Sequence, residues 1–111
     1  MEILQVNHDG IVILEVKGRL DTFSSVELDK KLSTLIQDQK YHLLIDFSQL
    51  DFISSSGLRV LLAAGKQLKS VNGKIALCAL QNHVKEVFDV AGFTMLFSIF
   101  PSRETALQEI K

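Results

Sequence analysis

Apolar and polar positions along the chain change period several times, and each change marks an element. Ile3-Leu4-Gln5-Val6 and Ile11-Val12-Ile13-Leu14-Glu15-Val16 are strand-like runs joined by Asn7-His8-Asp9-Gly10. Asp-Gly is a strong hairpin signal because both residues reach positive φ, so the two strands are expected as antiparallel neighbours. Gly18 reads as the end of the second strand, with Arg19-Leu20-Asp21-Thr22 as a loop. From about Ser24 to Gln37 the period turns helical. Val26, Leu28, Leu32, Leu35 and Ile36 supply the apolar positions, with Glu27, Asp29, Lys30 and Lys31 mostly opposite. Thr22, Ser24 and Ser25 each offer an N-cap oxygen, which leaves the first turn open.

Leu43-Leu44-Ile45 is continuous and apolar, the pattern of a strand covered on both faces, and Asp46 ends it. A second helix is expected from about Ser55 to Ser70, with Leu58, Leu61, Leu62, Gly65 and Leu68 on one face. Gly65 within that face suggests a close approach to the sheet, since a mid-helix Gly otherwise costs about 1 kcal/mol relative to Ala. Asn72-Gly73 stops the helix, and Ile75–Leu80 reads as a buried strand. Asn82 caps a short helix with Val84, Val87, Phe88 and Ala91 inward and Gly92 at its end. Met95–Phe100 is a last strand, and Ser102 caps a helix running to about Ile110, with Pro101 just outside it. The order β-β-α-β-α-β-α-β-α implies right-handed crossovers and a largely parallel sheet with an antiparallel hairpin at its edge.

Composition narrows the class. The 111 residues fit one domain, expected to span 1–111, with 47% hydrophobic and 23% charged residues and a formal net charge of −1. A balance this even, without a basic stripe, argues against direct nucleic-acid binding, which needs cations for the phosphates. There is no leader-like N-terminus and no apolar run of about 18 residues, so no membrane insertion is expected. Cys78 is the single cysteine and sits in an apolar run. It reads as a buried reduced thiol of a cytoplasmic protein.

Little in the chain suggests catalysis. His8, His42 and His83 are far apart and no zinc pattern can be drawn with one Cys. Gly10, Gly18 and Gly57 stand alone rather than in a phosphate-wrapping loop. Asp46 and Asp51 bracket a loop, where turn or cap roles serve them better than acid-base chemistry. No catalytic residue, metal site or cofactor is expected, and the protein is read as a non-enzyme. One segment stands out: Ser54-Ser55-Ser56-Gly57-Leu58, three serines at the entry to an amphipathic helix. Capping explains them in part, since a Ser oxygen accepts from a free N–H of the first turn. A helix N-terminus also tolerates negative charge, so a serine there can carry a phosphate without unfolding its own helix.

The run Leu43-Leu44-Ile45-Asp46-Phe47-Ser48, followed by Asp51-Phe52-Ile53-Ser54-Ser55-Ser56-Gly57-Leu58, resembles the signature of the STAS domain family. It is similar in particular to bacterial anti-sigma factor antagonists. Gly18-Arg19-Leu20-Asp21, Gly73-Lys74 and Val84-Lys85-Glu86-Val87-Phe88 extend the likeness over nearly the whole chain. The resemblance implies a SpoIIAA-like mixed sheet of four or five strands, covered mainly on one face by about four helices in all. It also implies a partner-switching role: binding an anti-sigma factor with serine kinase activity, losing that affinity on phosphorylation, and regaining it through a serine phosphatase. Aligning Gly57-Leu58 with the family's Asp-Ser-(Ser/Thr)-Gly-Leu puts the phosphoacceptor at Ser55, with Ser54 and Ser56 as fallbacks. Ser54 stands where the motif has Asp. Arg59 stands where many relatives have Gly, and can steady a phosphate or meet an acidic partner. Asp21 borders the same surface in a binding or a turn-capping role. Together Asp21, Ser54, Ser55, Ser56, Gly57, Leu58 and Arg59 form the expected partner-binding set. The alternative is a non-switching STAS docking subunit of a membrane transport complex.

Overall fold

The computed structural model describes residues 1–110. Strands β1 (Glu2–His8) and β2 (Ile11–Leu20) form the expected hairpin, with Asp9 at φ 49° and Gly10 at φ 83° in its turn. Helix α1 (Thr22–Gln37) follows, then β3 (His42–Asp46), β4 (Leu50–Ile53), α2 (Ser55–Ser70), β5 (Lys74–Cys78), α3 (Asn82–Val90), a 3-10 turn at Phe93–Met95, β6 (Ser98–Phe100) and α4 (Arg103–Glu109). The sheet runs β1-β2-β3-β5-β6, parallel except for the hairpin, and β4 pairs with β2 off that path.

Alternation along the strands sorts the core into two layers. Val12, Leu14 and Val16 of β2, with Leu43 and Ile45 of β3 and Leu77 of β5, pack beneath α1, α2 and α3. Ile11, Ile13, Leu44, Ala76 and Cys78 face the other way and are covered by Ala106 and Ile110 at α4. Three helices therefore lie on one face and one on the other. Burial lifts the Cys78 thiol to about 12, with Asp46 adding to the effect.

Phe47, Phe88, Phe93 and Phe97 pack in tilted and edge-to-face pairs at the α3 end, with centroids 6.1–6.5 Å apart. On the α4 face, Glu15 and Asp46 are register partners on neighbouring strands, where two carboxylates repel. Arg103 resolves this by donating to both, with its Nη2 at 2.9 Å from Asp46 Oδ2. Asp46 also accepts from the Ser48 N–H at 2.8 Å, the turn role its position suggested.

Several expectations need correction. Gly18 does not end β2. At φ 97° it bends the strand at a register shift, so the segment before it pairs with β3 and the segment after it with β4. The expected loop Arg19–Thr22 is instead strand, one capping residue and helix. Leu50–Ile53 is a strand that hydrophobic pattern alone did not reveal. Val26 is exposed, because the buried stripe of α1 runs Ser25, Leu28, Leu32, Leu35. In α2, Gly57 and Ala64 join Leu58, Leu61 and Leu68 on the buried side, and Leu62 and Gly65 sit at its flank. The close approach is also at Gly57, not Gly65. A Cβ on Gly57 would stand 2.8 Å from Leu20 Cγ, whereas one on Gly65 would make ordinary contact with Phe97 at 3.5 Å. Gln81 rather than Asn82 is the N-cap of α3, without a side-chain capping bond, and Val87 and Ala91 point outward. The last strand is only Ser98–Phe100, since Met95 and Leu96 are exposed in and just after the 3-10 turn.

Candidate functional site

The site grows out of strand pairing. β2 and β4 run parallel and end together, with Leu20 opposite Ile53 and the Ser54 N–H donating to the Leu20 carbonyl at 2.9 Å. One residue past each strand end a helix is capped: Asp21 caps α1 and Ser54 caps α2. The two helix N-termini therefore emerge side by side. Each carries free N–H groups and the positive end of its dipole.

The Asp21 carboxylate accepts from the Ser24 N–H at 3.0 Å, and the Ser24 hydroxyl accepts from the Asp21 N–H at 2.8 Å, a reciprocal capping box. The bonds from Ser24 hold the Asp21 carboxyl below the ordinary carboxylate value. Of the roles open to Asp21, the structure displays capping.

The three serines have three different environments. Ser54 Oγ accepts from the Gly57 N–H at 3.2 Å, the N-cap bond of α2. Ser55 is the first helical residue and is exposed. Ser56 is half-buried at a shallow groove of about 250 Å³ between the two helices, lined by Thr22, Val26, Asp29, Arg59 and Val60 among others. Gly57 and Leu58 are buried, and Gly57 lies close against Leu20 and Ile53. Arg59 is exposed.

Hydrophobic side chains surround these caps in a way sequence reasoning missed. Phe23 is 89% exposed, Val26 57% and Phe52 37%, and the Arg19 guanidinium lies 4.3 Å from the centre of the Phe52 ring. Phe23 could have been noticed in the sequence, because it falls one turn before Glu27 and away from the Leu28-Leu32-Leu35 stripe. Among the described residues, no cluster of His, Cys, Asp and Glu is placed to hold a metal ion, and no helix is long and apolar enough to cross a membrane.

Fold and site define a small mixed-sheet α/β protein that presents a serine-bearing helix start at its surface. The chain belongs to the STAS domain family, which it matches over residues 2–106. BtrV of Bordetella bronchiseptica, assigned as an anti-sigma factor antagonist, is 35% identical over the whole of this chain and 96% of its own. An anti-sigma F factor antagonist of Paenibacillus polymyxa is 27% identical over the same shares. Among solved structures, the Bacillus cell fate determinant SpoIIAA in its phosphorylated form superposes with a TM-score of 0.78 at 21% identity, covering 99% of this chain and all of that one.

Proposed function

We propose that the protein is an anti-sigma factor antagonist whose docking surface is the paired start of α1 and α2, switched by phosphorylation of Ser55. The observation that carries the choice of serine is the division of labour among the hydroxyls. Ser54 is engaged as the N-cap, Ser56 faces the groove, and Ser55 stands free at the first helical position. The antagonist names of the relatives favour this reading over that of a transport-complex subunit.

In the unphosphorylated state Phe23, Phe52 and Arg19 offer apolar and cationic contacts around the serine. The partner is an anti-sigma factor, with a serine kinase and a serine phosphatase setting the state of the switch. In the kinase step the Ser55 oxygen attacks the γ-phosphorus of ATP. An O–P bond forms at Ser55, the bond to the β-phosphate oxygen breaks, the hydroxyl proton passes to a base of the kinase, and ADP leaves. The phosphate then brings about −1.5 to −2 charge to the centre of the docking surface. This chain supplies the acceptor and the binding surface rather than catalysis.

The test pairs mass spectrometry with binding. After incubation with the cognate kinase and ATP, the phosphate should be found on Ser55. Ser55→Asp should weaken binding to the anti-sigma factor at least tenfold, and Ser55→Ala should largely preserve it. Label found elsewhere, or equal loss in both variants, refutes the assignment.

A further inference from the structure

We propose that Arg59 clamps the phosphate of phosphorylated Ser55 in cis, so that modification withdraws this guanidinium from the docking surface as well as adding negative charge there. The inference rests on Ser55 being the phosphoacceptor, as proposed above.

The chain has three arginines, and two of them are committed. Arg103 is held by Glu15 and Asp46, and Arg19 lies over the Phe52 ring. Arg59 has no ion pair or hydrogen bond to any of the described residues, and it is exposed. It follows Ser55 by four positions on a regular helix, which places the two side chains on one face, one turn apart. A guanidinium meets a phosphate through two parallel N–H···O bonds, a geometry that a point-like ammonium cannot reproduce.

Competition for either partner is weak. The first turn of α2 holds no acidic residue, so nothing on the phosphate's own helix repels it there. Three carboxylates border the surface from the α1 side, of which Glu27 lies toward Arg19 and forms no ion pair. Asp21 is tied into the Ser24 capping box, and Asp29 shares the groove with Arg59 without forming an ion pair. With Ser54 in place of a motif Asp, the residue next to the acceptor is neutral as well. A carboxylate there would oppose the phosphate, and its absence leaves Arg59, one turn away, as the charged side chain of α2 nearest the acceptor.

The pairing gives the switch a second component. Unmodified, Arg59 is available to an acidic group on a partner. Modified, it is occupied by the chain's own phosphate, and a partner that used it loses a cation in addition to meeting an anion.

The test installs phosphoserine at position 55 of the full chain by genetic encoding, so it does not depend on finding the kinase. Titration followed by phosphorus NMR gives the second ionisation of the phosphate, ordinarily near 6. It should lie about half a unit lower in the native sequence than in Arg59→Gln, with Arg59→Lys in between. The difference should collapse at about 1 M salt, where the screening length is only about 3 Å. The helix backbone acts on all three proteins alike and cancels in the comparison. Equal ionisation in the native and Arg59→Gln proteins overturns the clamp even if kinases do modify Ser55. Kinase labelling confined to other residues overturns the phosphoacceptor reading, and with it the regulatory meaning of the pair.

Discussion

Two glycines of one helix should respond to the same substitution with opposite signs. Gly57 and Gly65 both lie in α2, and replacing either with Ala gains up to about 1 kcal/mol of helix propensity, less in the first turn where Gly57 sits. What the new methyl meets decides the outcome. At Gly57 it would stand 2.8 Å from Leu20 Cγ and 3.0 Å from Ile53 Cγ1. Leu20 is fully buried and Ile53 nearly so, at 0% and 4% exposure, so neither can swing into solvent. Overpacking of this kind costs about 1–3 kcal/mol, which exceeds the propensity gain. At Gly65 the methyl would rest 3.5 Å from Phe97 Cε1 and 3.7 Å from Ile75 Cγ2, ordinary contacts that add burial. Gly57→Ala should therefore destabilise by about 1 kcal/mol and Gly65→Ala should stabilise by a similar amount. Urea denaturation should separate the two midpoints by about 1 M, given slopes of about 1–3 kcal/mol per molar. A Gly57→Ala midpoint at or above the native one would refute the close approach of α2 to the ends of β2 and β4.

The capping assignments give two further predictions. Ser54→Ala should cost about 1 kcal/mol by removing the bond to the Gly57 N–H, while Ser55→Ala should change stability by less than about 0.5 kcal/mol, and equal losses in thermal melts would contradict the roles assigned to the two hydroxyls. For Asp21 the sign follows from its lowered folded value: the unfolded state takes up its proton first, so the stability from this cap is present above pH about 4 and is lost as the pH falls through the folded value. Melting temperatures from pH 6 to 2.5 should fall more steeply for the native protein than for Asp21→Asn, which keeps a capping oxygen but cannot titrate; parallel curves would count against the capping box.

The elements legible from the sequence are those whose burial follows one period. The stripe at Leu28, Leu32 and Leu35 and the apolar strand Leu43-Leu44-Ile45 announced α1 and the sheet's central strand. β4 escaped because its four residues are buried only at the two ends, Leu50 and Ile53, which breaks the alternation that marks a half-buried strand. Its pairing partner was hidden for a related reason. Gly18 is a stop signal in most strands, but here its positive φ redirects β2 toward β4, a long-range consequence that local pattern does not carry. The serine cluster was legible as a motif. Which hydroxyl caps and which is free was not, since Ser54, Ser55 and Ser56 are chemically identical and differ only in their place relative to the end of β4. Val26 shows the opposite failure: hydrophobicity suggested core, but α1 turns its Ser25–Leu35 stripe inward and leaves Val26 in the groove beside Arg59.

A net charge of −1 conceals a segregation that bears on how such a surface can be switched. On the α4 face, Glu15 and Asp46 are both held within the fold by Arg103, a partly buried cluster whose partners are all internal. Its bonds make it a device for holding neighbouring strands, and a partner would have to break them to use the charges. The α1–α2 face is built differently. Arg19 and Arg59 stand near Asp21, Glu27 and Asp29 without ion pairs between the two sets; Arg19 lies over Phe52 and Asp21 caps α1, while Arg59, Glu27 and Asp29 remain available to an incoming surface. These five side chains sum to only −1. A phosphate of about −1.5 to −2 charge therefore changes the character of this face far more than it changes the protein as a whole. Salt offers the discriminating consequence: if charge carries the switch, the affinity gap between the Ser55→Asp and Ser55→Ala proteins should shrink as ionic strength rises. A gap independent of salt would assign the effect to shape instead, through disturbance of the first turn of α2 against Leu20.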